Sequence, residues 1–284
     1  MIMNIRNIYG VVAAGLLLAG TTACDDVKPD DRYILTEGVK AERTVLLEDF
    51  TGQNCLNCPD AHRTIKSLEE QYGDKLIAVS IHCGTFGVSK SRTNFERNLV
   101  GLMTDEGNAI METYGITSFP MGSINMGPAT NYSLWPTAVY NALQTTTDVT
   151  LDLTVNYTPA TANSETGRID MTAKVLSTSQ HTANIQFWVV EDQIVALQRD
   201  GNQTITDYVH DGVFRGQVLP GLRGDALPLA SGIEQIVEAS INTVWNEQEH
   251  WVAKNLSIVA IISDATGVLQ VARVPVIADE ESAE

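Results

Sequence analysis

The chain has few basic residues and few cysteines, and each scarcity excludes a class of protein. Its 18 lysines and arginines are outnumbered by 35 aspartates and glutamates, which gives a formal net charge of −17. A nucleic-acid binder needs a basic face to neutralise phosphates, so this balance argues against nucleic acid as a partner. Four cysteines are too few for a small domain held together by disulfides.

Long apolar runs and internal repeats are also missing beyond the N-terminus, so we predict no later segment that crosses a membrane. The apolar content of 44% is close to that of globular proteins, which excludes wholesale disorder and a collagen-like repeat. At about 100–200 residues per domain, a chain of 284 residues suggests one or two domains.

The first 23 residues have the order of a secretory signal peptide. One charged residue, Arg6, precedes an apolar run over residues 8–19, and small residues follow up to Cys24. The apolar run is shorter than the roughly 20 residues that a membrane-spanning helix needs. We therefore predict that residues 1–23 are removed on export.

The sequence Thr21-Thr22-Ala23-Cys24 resembles the cleavage box of bacterial lipoproteins, although Thr21 stands where Leu is usual. The resemblance implies that Cys24 is acylated and becomes the mature N-terminus, which anchors the protein in a membrane by its lipid chains. The alternative is ordinary signal-peptide cleavage that leaves a spare thiol. Residues 24–42 contain several aspartates and a proline, and we predict an acidic tether there.

Strand-like and helix-like patterns alternate over residues 43–147. Residues 45–50 read as a buried strand, apolar residues then recur at helical spacing up to Tyr72, and Gly73 stands where a helix C-cap is expected. A second apolar strand follows at residues 76–81. The order strand, helix, strand predicts a βαβ unit with a parallel strand pair.

The pattern changes at Asp148, where residues 150–157 begin a strict polar–apolar alternation that is typical of a half-buried strand. Further strand candidates, separated by turn residues, are 169–175, 185–190, 233–241, 256–262 and 268–276. We predict an antiparallel, immunoglobulin-like β-sandwich over residues 148–278, although a Cys–Trp–Cys pattern is missing. Residues 279–284 are predicted to form an acidic tail.

One motif carries chemistry, and it is Cys55-Leu56-Asn57-Cys58-Pro59 between the first strand and the first helix. Unpaired N–H groups at a helix N-terminus favour a thiolate there, and Pro59 fits the first turn. A static disulfide is an alternative, and so is zinc bound by the two cysteines with His62 and Cys83. Pro59 excludes c-type haem, which needs His at that position.

Together with Gly115-Ile116-Thr117-Ser118-Phe119-Pro120, the dithiol motif resembles the thioredoxin superfamily. The resemblance implies a thioredoxin-like α/β domain in which the Phe119–Pro120 bond is cis and Pro120 lies beside the dithiol. It also implies that Cys55 is the attacking thiolate, that Cys58 is the resolving thiol, and that Asp49 accepts or relays the proton.

Two departures from the thioredoxin pattern bear on activity. Asn54 stands where Trp is typical, and Leu56-Asn57 replaces Gly-Pro and brings no positive charge to the thiols. Cys83 is then the odd thiol, and we predict that it is a buried small hydrophobe. His62 is predicted to be a polar residue on the exposed face of the helix.

A second resemblance covers most of the chain. The lipoprotein signal, residues 48–59, Asp207-Tyr208-Val209-His210 and residues 251–262 together resemble a family of outer-membrane lipoproteins named for a member of twenty-eight kilodaltons. The resemblance implies location in the cell envelope, at the outer membrane, on its periplasmic face or at the cell surface. Some members of that family have been proposed as surface adhesins or receptors.

Two hypotheses for function follow. In the first, Cys55, Cys58, Asp49 and Pro120 carry out thiol–disulfide exchange on exported proteins or small disulfides. In the second, the protein is a non-enzymatic surface module that binds a protein or glycan and uses the thioredoxin fold as a scaffold. Neither hypothesis requires a cofactor or a metal. The polar residues around His210 are assigned no role.

Overall fold

The computed structural model describes residues 41–97, 99–162 and 166–278. The predicted signal peptide, Cys24, almost all of the tether and the acidic tail lie outside the described residues. All described residues belong to one compact unit.

Helices and strands alternate at first, and strands alone follow. The helices are α1 (Cys58–Tyr72), α2 (Asp105–Thr113) and α3 (Trp135–Leu143). The strands are β1 (Ala41–Glu42), β2 (Val45–Thr51), β3 (Leu76–His82), β4 (Met121–Ile124), β5 (Thr146–Thr147), β6 (Val149–Thr158), β7 (Arg168–Ser177), β8 (His181–Glu191), β9 (Ile194–Asp200), β10 (Gln203–His210), β11 (Val213–Gln217), β12 (Asp225–Leu229), β13 (Gln235–Asn242), β14 (Leu256–Asp264) and β15 (Gly267–Pro275). Within the described ranges, no helix is long and apolar enough to cross a membrane.

The predicted βαβ unit is present. β2 and β3 pair in parallel over their full length and are joined through α1, while β4 pairs antiparallel to β2. α1 ends where the sequence predicts, because Gly73 takes a positive φ of 53° and its N–H donates to the carbonyl of Glu69. The helix packs Ile65 and Leu68 against Val45 and Leu47 of β2.

Strands from both sides of the predicted domain boundary at residue 148 share one sheet. Its order is β15-β14-β8-β11-β3-β2-β4, and β12 pairs with β8 outside this path. β11 pairs with β3 in parallel at Val213 and Ser80, and the Ser80 N–H donates to the carbonyl of Gly212 at 2.7 Å. The strand β3 would otherwise expose an edge of unpaired backbone groups, which proteins usually cover.

The large sheet curls until its edge strand β15 lies beside the beginning of β2 and the end of β4. The Val268 N–H donates to the carbonyl of Asn125 at 3.0 Å. The side chain of Gln270 accepts from the Thr44 N–H and donates to the carbonyl of Glu42, both at 3.1 Å. We call the space that this sheet encloses the curled interior. It is filled mainly by buried apolar side chains: Leu46, Phe50, Ile77, Val79, Ile81, Trp188, Val190, Phe214, Val259, Ile261, Val268 and Val271.

The predicted antiparallel sandwich is present in the second half of the chain. A three-stranded antiparallel sheet, β13-β7-β6, packs against the outer face of the large sheet. β8 is buried on both faces, because Phe187 and Val189 enter the sandwich core while Trp188 and Val190 enter the curled interior. Burial on both faces explains why residues 185–190 are almost continuously apolar.

Four strands of the second half, β9 to β12, are not predicted from the sequence. β9 and β10 form a separate antiparallel hairpin that turns at Gly201, whose φ is 55°. The polar residues of this hairpin outnumber its apolar ones, so its hydrophobic pattern is weak. Backbone hydrogen bonds to the loop that carries the dithiol hold this hairpin in position.

Candidate functional site

The dithiol lies on the loop that connects β2 to α1. Cys55 and Cys58 are joined by a disulfide, with their Cα atoms 5.5 Å apart, and Cys58 is the first residue of the helix. Gly52 permits the loop to pass close to Phe86, since a Cβ at Gly52 would meet the backbone of Phe86 at 2.4 Å. The disulfide uses both sulfurs that the zinc alternative needs. Among the described residues, no group of three His, Cys, Asp or Glu side chains could hold a metal ion.

The β9–β10 hairpin covers the dithiol loop. The Arg199 N–H donates to the carbonyl of Gln53, and the Gly201 N–H donates to the carbonyl of Leu56, both at 2.9 Å. The buried side-chain amide of Gln198 donates to the carbonyl of Cys55 at 3.1 Å. Under this cover Cys55 is only 3% exposed and Cys58 is fully buried. The disulfide is therefore closed off from solvent.

Asp49 is fully buried on the face of β2 that packs against α1. Neither of its carboxylate oxygens has a hydrogen-bond partner, and Nε2 of His62 lies 3.4 Å from Oδ2. Burial raises the pKa of Asp49, and the neighbouring His62 opposes that shift. A buried acid with a raised pKa takes up a proton more readily than an exposed carboxylate does.

The predicted exposure of His62 is wrong. Its side chain is 15% exposed, because the β10 strand packs over the face of α1 that would otherwise meet solvent. Nε2 of His62 hydrogen-bonds the hydroxyl of Thr51 and Nδ1 hydrogen-bonds the hydroxyl of Tyr208, each at 2.9 Å. His62 thus connects the β2 strand that carries Asp49 with the hairpin.

Two further histidines lie next to His62, and the sequence assigned neither a role. His82 of β3 and His210 of β10 are almost fully buried, and their ring centroids are 5.1 Å apart. Burial lowers the pKa of His82 well below its usual value and that of His210 to about 3, and the neighbouring histidines act in the same direction. Both rings are therefore neutral near pH 7.

A cleft of about 750 Å³ opens beside the three histidines. Its walls come from α1, β3, β10 and the segment that begins at Asp192, so residues distant in sequence meet there. His82 has no hydrogen-bond partner at either ring nitrogen, and His210 has none at Nε2. No local sequence signal could have revealed this cluster, because its members share no spacing.

The Phe119–Pro120 bond is cis, as predicted, and Pro120 is buried. The Phe119 ring packs edge-on against Phe86 at 5.4 Å, and the carbonyl of Phe86 accepts from the Asn54 N–H at 2.9 Å. Phe86 thus connects the segment of the dithiol with the segment of Pro120, the two parts of the predicted thioredoxin-like motif. Cys83 is a buried free thiol whose pKa is raised by burial, which confirms its prediction as a small hydrophobe.

Comparison with known proteins finds one family and several similar structures. The family described as outer membrane protein Omp28 matches residues 107–280, which is more than half of the chain. No curated protein sequence matches.

Two solved structures resemble most of the chain. HBP35 of Porphyromonas gingivalis is 17% identical with a TM-score of 0.63, covering 86% of this chain and 78% of its own. A structural-genomics target from Agrobacterium tumefaciens is 10% identical with a TM-score of 0.51, covering 84% of this chain and 97% of its own. At these identities the likeness concerns the fold alone.

A third structure, a domain of the outer membrane lipoprotein Omp28 from Porphyromonas gingivalis, is 18% identical. It covers 46% of this chain and 88% of its own, with a TM-score of 0.32.

Gln198→Ala tests whether the hairpin protects the disulfide. Loss of the side-chain hydrogen bond to Cys55 should loosen the cover, and we expect reduction by dithiothreitol to become about 3- to 10-fold faster, since one such bond is worth about 1 kcal/mol. The measurement is the rate of thiol appearance under native conditions. Gln217→Ala removes a hydrogen bond to Gly221 elsewhere and should leave that rate unchanged. Equal rates in both variants and the wild type would mean that the hairpin does not control access.

His210→Gln tests the buried histidine cluster through pH. The pKa of His210 is lowered to about 3 in the folded state, so its neutral form stabilises the protein above about pH 6.5, and this contribution is lost as the pH falls towards 3. At pH 5 the wild type should have lost on the order of 1–2 kcal/mol of unfolding free energy through this residue. Urea titrations between pH 7.5 and 5 should show a shallower decline for the variant. Tyr208→Phe removes a hydroxyl that does not titrate in this range and should keep the wild-type slope.

Proposed function

Because the chain belongs to the Omp28 family of outer membrane proteins, we propose that it is a lipid-anchored thiol–disulfide exchange protein of the cell envelope. Family membership confirms the predicted outer-membrane localisation. The proposed reactive unit is thioredoxin-like and consists of β2, α1, β3 and β4. Its substrates would be exported proteins or small disulfides.

The observation that carries the proposal is the disulfide at the first turn of α1 with a buried carboxyl, free of hydrogen bonds, on the preceding strand. In the reduced protein, the Cys55 thiolate would attack a substrate disulfide, form a mixed disulfide and release one substrate thiol. Cys58 would then lose its proton to Asp49 and attack the Cys55 sulfur. The second substrate thiol leaves, the substrate is reduced, and the Cys55–Cys58 disulfide forms again.

His62 gives the proton a route out of the site. Its Nε2 lies 3.4 Å from Asp49, and its ring lines the cleft beside β10. A proton that Asp49 takes up during resolution would leave through His62 towards this cleft. The stabilisation of the Cys55 thiolate would rest on the helix N-terminus, since Leu56 and Asn57 carry no charge.

The second candidate function is binding without catalysis, and burial of the dithiol favours it. Cys55 is 3% exposed beneath a hairpin that hydrogen-bonds the loop on both sides of it. Exchange requires that β9 and β10 move away from the loop. If they stay in place, the disulfide is structural and the protein is a surface module that binds a protein or glycan.

Cys58→Ser and Asp49→Asn distinguish the two functions. In the reduced wild type, limiting iodoacetamide near neutral pH should label Cys55 before Cys58, because Cys55 lies in the loop just before the helix, where the unpaired N–H groups of the N-terminus favour a thiolate, whereas Cys58 is fully buried in the first turn. Cys58→Ser should trap mixed disulfides through Cys55, while Cys55→Ser should trap none. Asp49→Asn should slow resolution of the mixed disulfide, measured by quenched-flow and mass spectrometry, without altering the fold.

Equal, slow alkylation of both cysteines and no trapped mixed disulfide would replace exchange with the binding function. The reduction potential of the Cys55–Cys58 disulfide is an independent measurement. Structural disulfides have reduction potentials below about −300 mV, whereas those of exchange proteins lie between about −270 and −120 mV.

Cys24→Ser tests the lipid anchor. If Cys24 is acylated, the variant should move from the membrane fraction to the soluble fraction of a cell lysate, because the lipid chains supply the membrane affinity. Cys83→Ser is the matched control and should stay with the membrane. Unchanged fractionation of Cys24→Ser, and an N-terminal peptide without added lipid mass, would contradict the anchor.

A further inference from the structure

We infer that the open end of the curled interior is a binding site for a small, neutral organic molecule with a flat apolar body and an amide edge, that is, an N–H donor beside a carbonyl acceptor. The inference goes beyond thiol–disulfide exchange and does not depend on it. It rests on a cavity, on two buried polar side chains without partners, and on an apolar lining.

The cavity has a volume of about 910 Å³. It lies between the C-terminal end of α2, the segment after β4, the turn between β14 and β15 and the loop between β11 and β12. Sites for small molecules in proteins typically have volumes of about 300–1,000 Å³ and carry a few polar groups on an apolar wall. This cavity has the right size for one such molecule.

Glu48 and Gln186 line this cavity, and both project into the curled interior. Glu48 shares a face of β2 with Leu46 and Phe50, because side chains alternate along a strand, and both of these belong to the interior core. Gln186 likewise shares a face of β8 with Trp188. Two strands that are far apart in sequence thus bring two polar side chains to the wall of one cavity.

Each of these side chains has one satisfied and one unsatisfied polar atom. Glu48 is 1% exposed, and its Oε2 accepts from the Tyr114 hydroxyl at 2.6 Å, while Oε1 has no partner. Gln186 is 2% exposed, and its Oε1 accepts from the Trp188 indole N–H at 3.1 Å, while Nε2 has no partner. A buried polar atom without a partner is costly, so a ligand that pairs it gains affinity.

The two free atoms define the polar groups that the ligand must carry. Oε1 of Glu48 accepts, so the ligand needs an N–H donor, and Nε2 of Gln186 donates, so the ligand needs a carbonyl oxygen. A carboxamide or lactam carries both groups side by side. The lining carries two carboxyl groups, Glu48 and Asp264, and one guanidinium group, Arg223, so its charges do not favour an anion.

The apolar lining defines the body of the ligand. It consists of one indole, aliphatic side chains and two thioethers, namely Trp188, Ile110, Ile116, Leu222, Met121 and Met126. Indole and methionine side chains favour contact with flat aromatic surfaces. Burial raises the pKa of Glu48 to about 7, against the hydrogen bond from Tyr114, so the binding test is done above that pH, where Oε1 is an unprotonated acceptor.

The test uses 2-naphthamide as probe and methyl 2-naphthoate as its matched control, which keeps the ring and carbonyl but has no N–H donor. Titration calorimetry with the oxidised mature protein should show saturable binding of the amide, at least about tenfold tighter than the ester, since one buried hydrogen bond is worth about 1–1.5 kcal/mol.

Two substitutions of nearly equal volume reverse the hydrogen-bond chemistry. Gln186→Glu keeps the oxygen that accepts from Trp188 but removes the free N–H donor. Glu48→Gln keeps the oxygen that accepts from Tyr114 but presents an N–H donor to the N–H group of the ligand. Each should weaken amide binding about tenfold or more. Leu222→Glu changes only the exposed rim, so it provides a variant without a folding risk, and it should also weaken binding.

The double variant Cys55→Ser, Cys58→Ser should bind the amide as the wild type does, so loss of exchange and loss of this site are separate results. No saturable binding of 2-naphthamide at millimolar concentration, or equal affinity for amide and ester, would overturn the inference. Wild-type affinity in folded Gln186→Glu and Leu222→Glu would overturn it as well.

Discussion

The pairing of β11 with β3 is the contact on which the rest of the structure depends. It consists of one parallel register pair, Val213 with Ser80, and a hydrogen bond from the Ser80 N–H to Gly212. Gly212 has a φ of 65°, and a Cβ there would lie 3.0 Å from the carbonyl of Ala78, so the close approach needs glycine. Through this contact the strand-rich second half completes the sheet begun by the βαβ unit. The hairpin then lies over α1, and β8 closes the curled interior.

Two adjacent residues of β2 carry carboxyl groups, and this arrangement places them in different surroundings. Asp49 faces α1 and the histidine cluster, while Glu48 faces the curled interior, because successive side chains of a strand point to opposite faces. Burial raises the pKa of both. Glu48 lines the cavity at the open end of the sheet, whereas Asp49 lies 3.4 Å from His62, which lines the cleft beside the histidines. One strand thus supplies two sites with separate chemistry.

Local sequence patterns were sufficient to predict secondary structure wherever a segment carries its own periodicity or turn residue. Three local signals predicted the βαβ unit: the apolar run at residues 45–50, the helical spacing of Ile65 and Leu68, and the cap at Gly73. Each of these signals depends only on residues that are close together in the sequence. The hairpin β9–β10 was missed because its stability comes from hydrogen bonds to Gln53 and Leu56, about 140 residues earlier. The exposure of His62 was predicted wrongly for the same reason, since the strand that covers it is distant in sequence.

The sequence by itself determined the dithiol at a helix N-terminus and the change from mixed to all-β patterning, and it predicts an export signal, because these features depend on neighbouring residues. Only the tertiary structure decided that both halves share one sheet, since strand partners are chosen by long-range backbone pairing. It also decided that Cys55 is closed off by a hairpin, that His62, His82 and His210 meet, and that Glu48 and Gln186 line one cavity. These features arise where side chains from remote strands converge, and no spacing along the chain encodes that convergence.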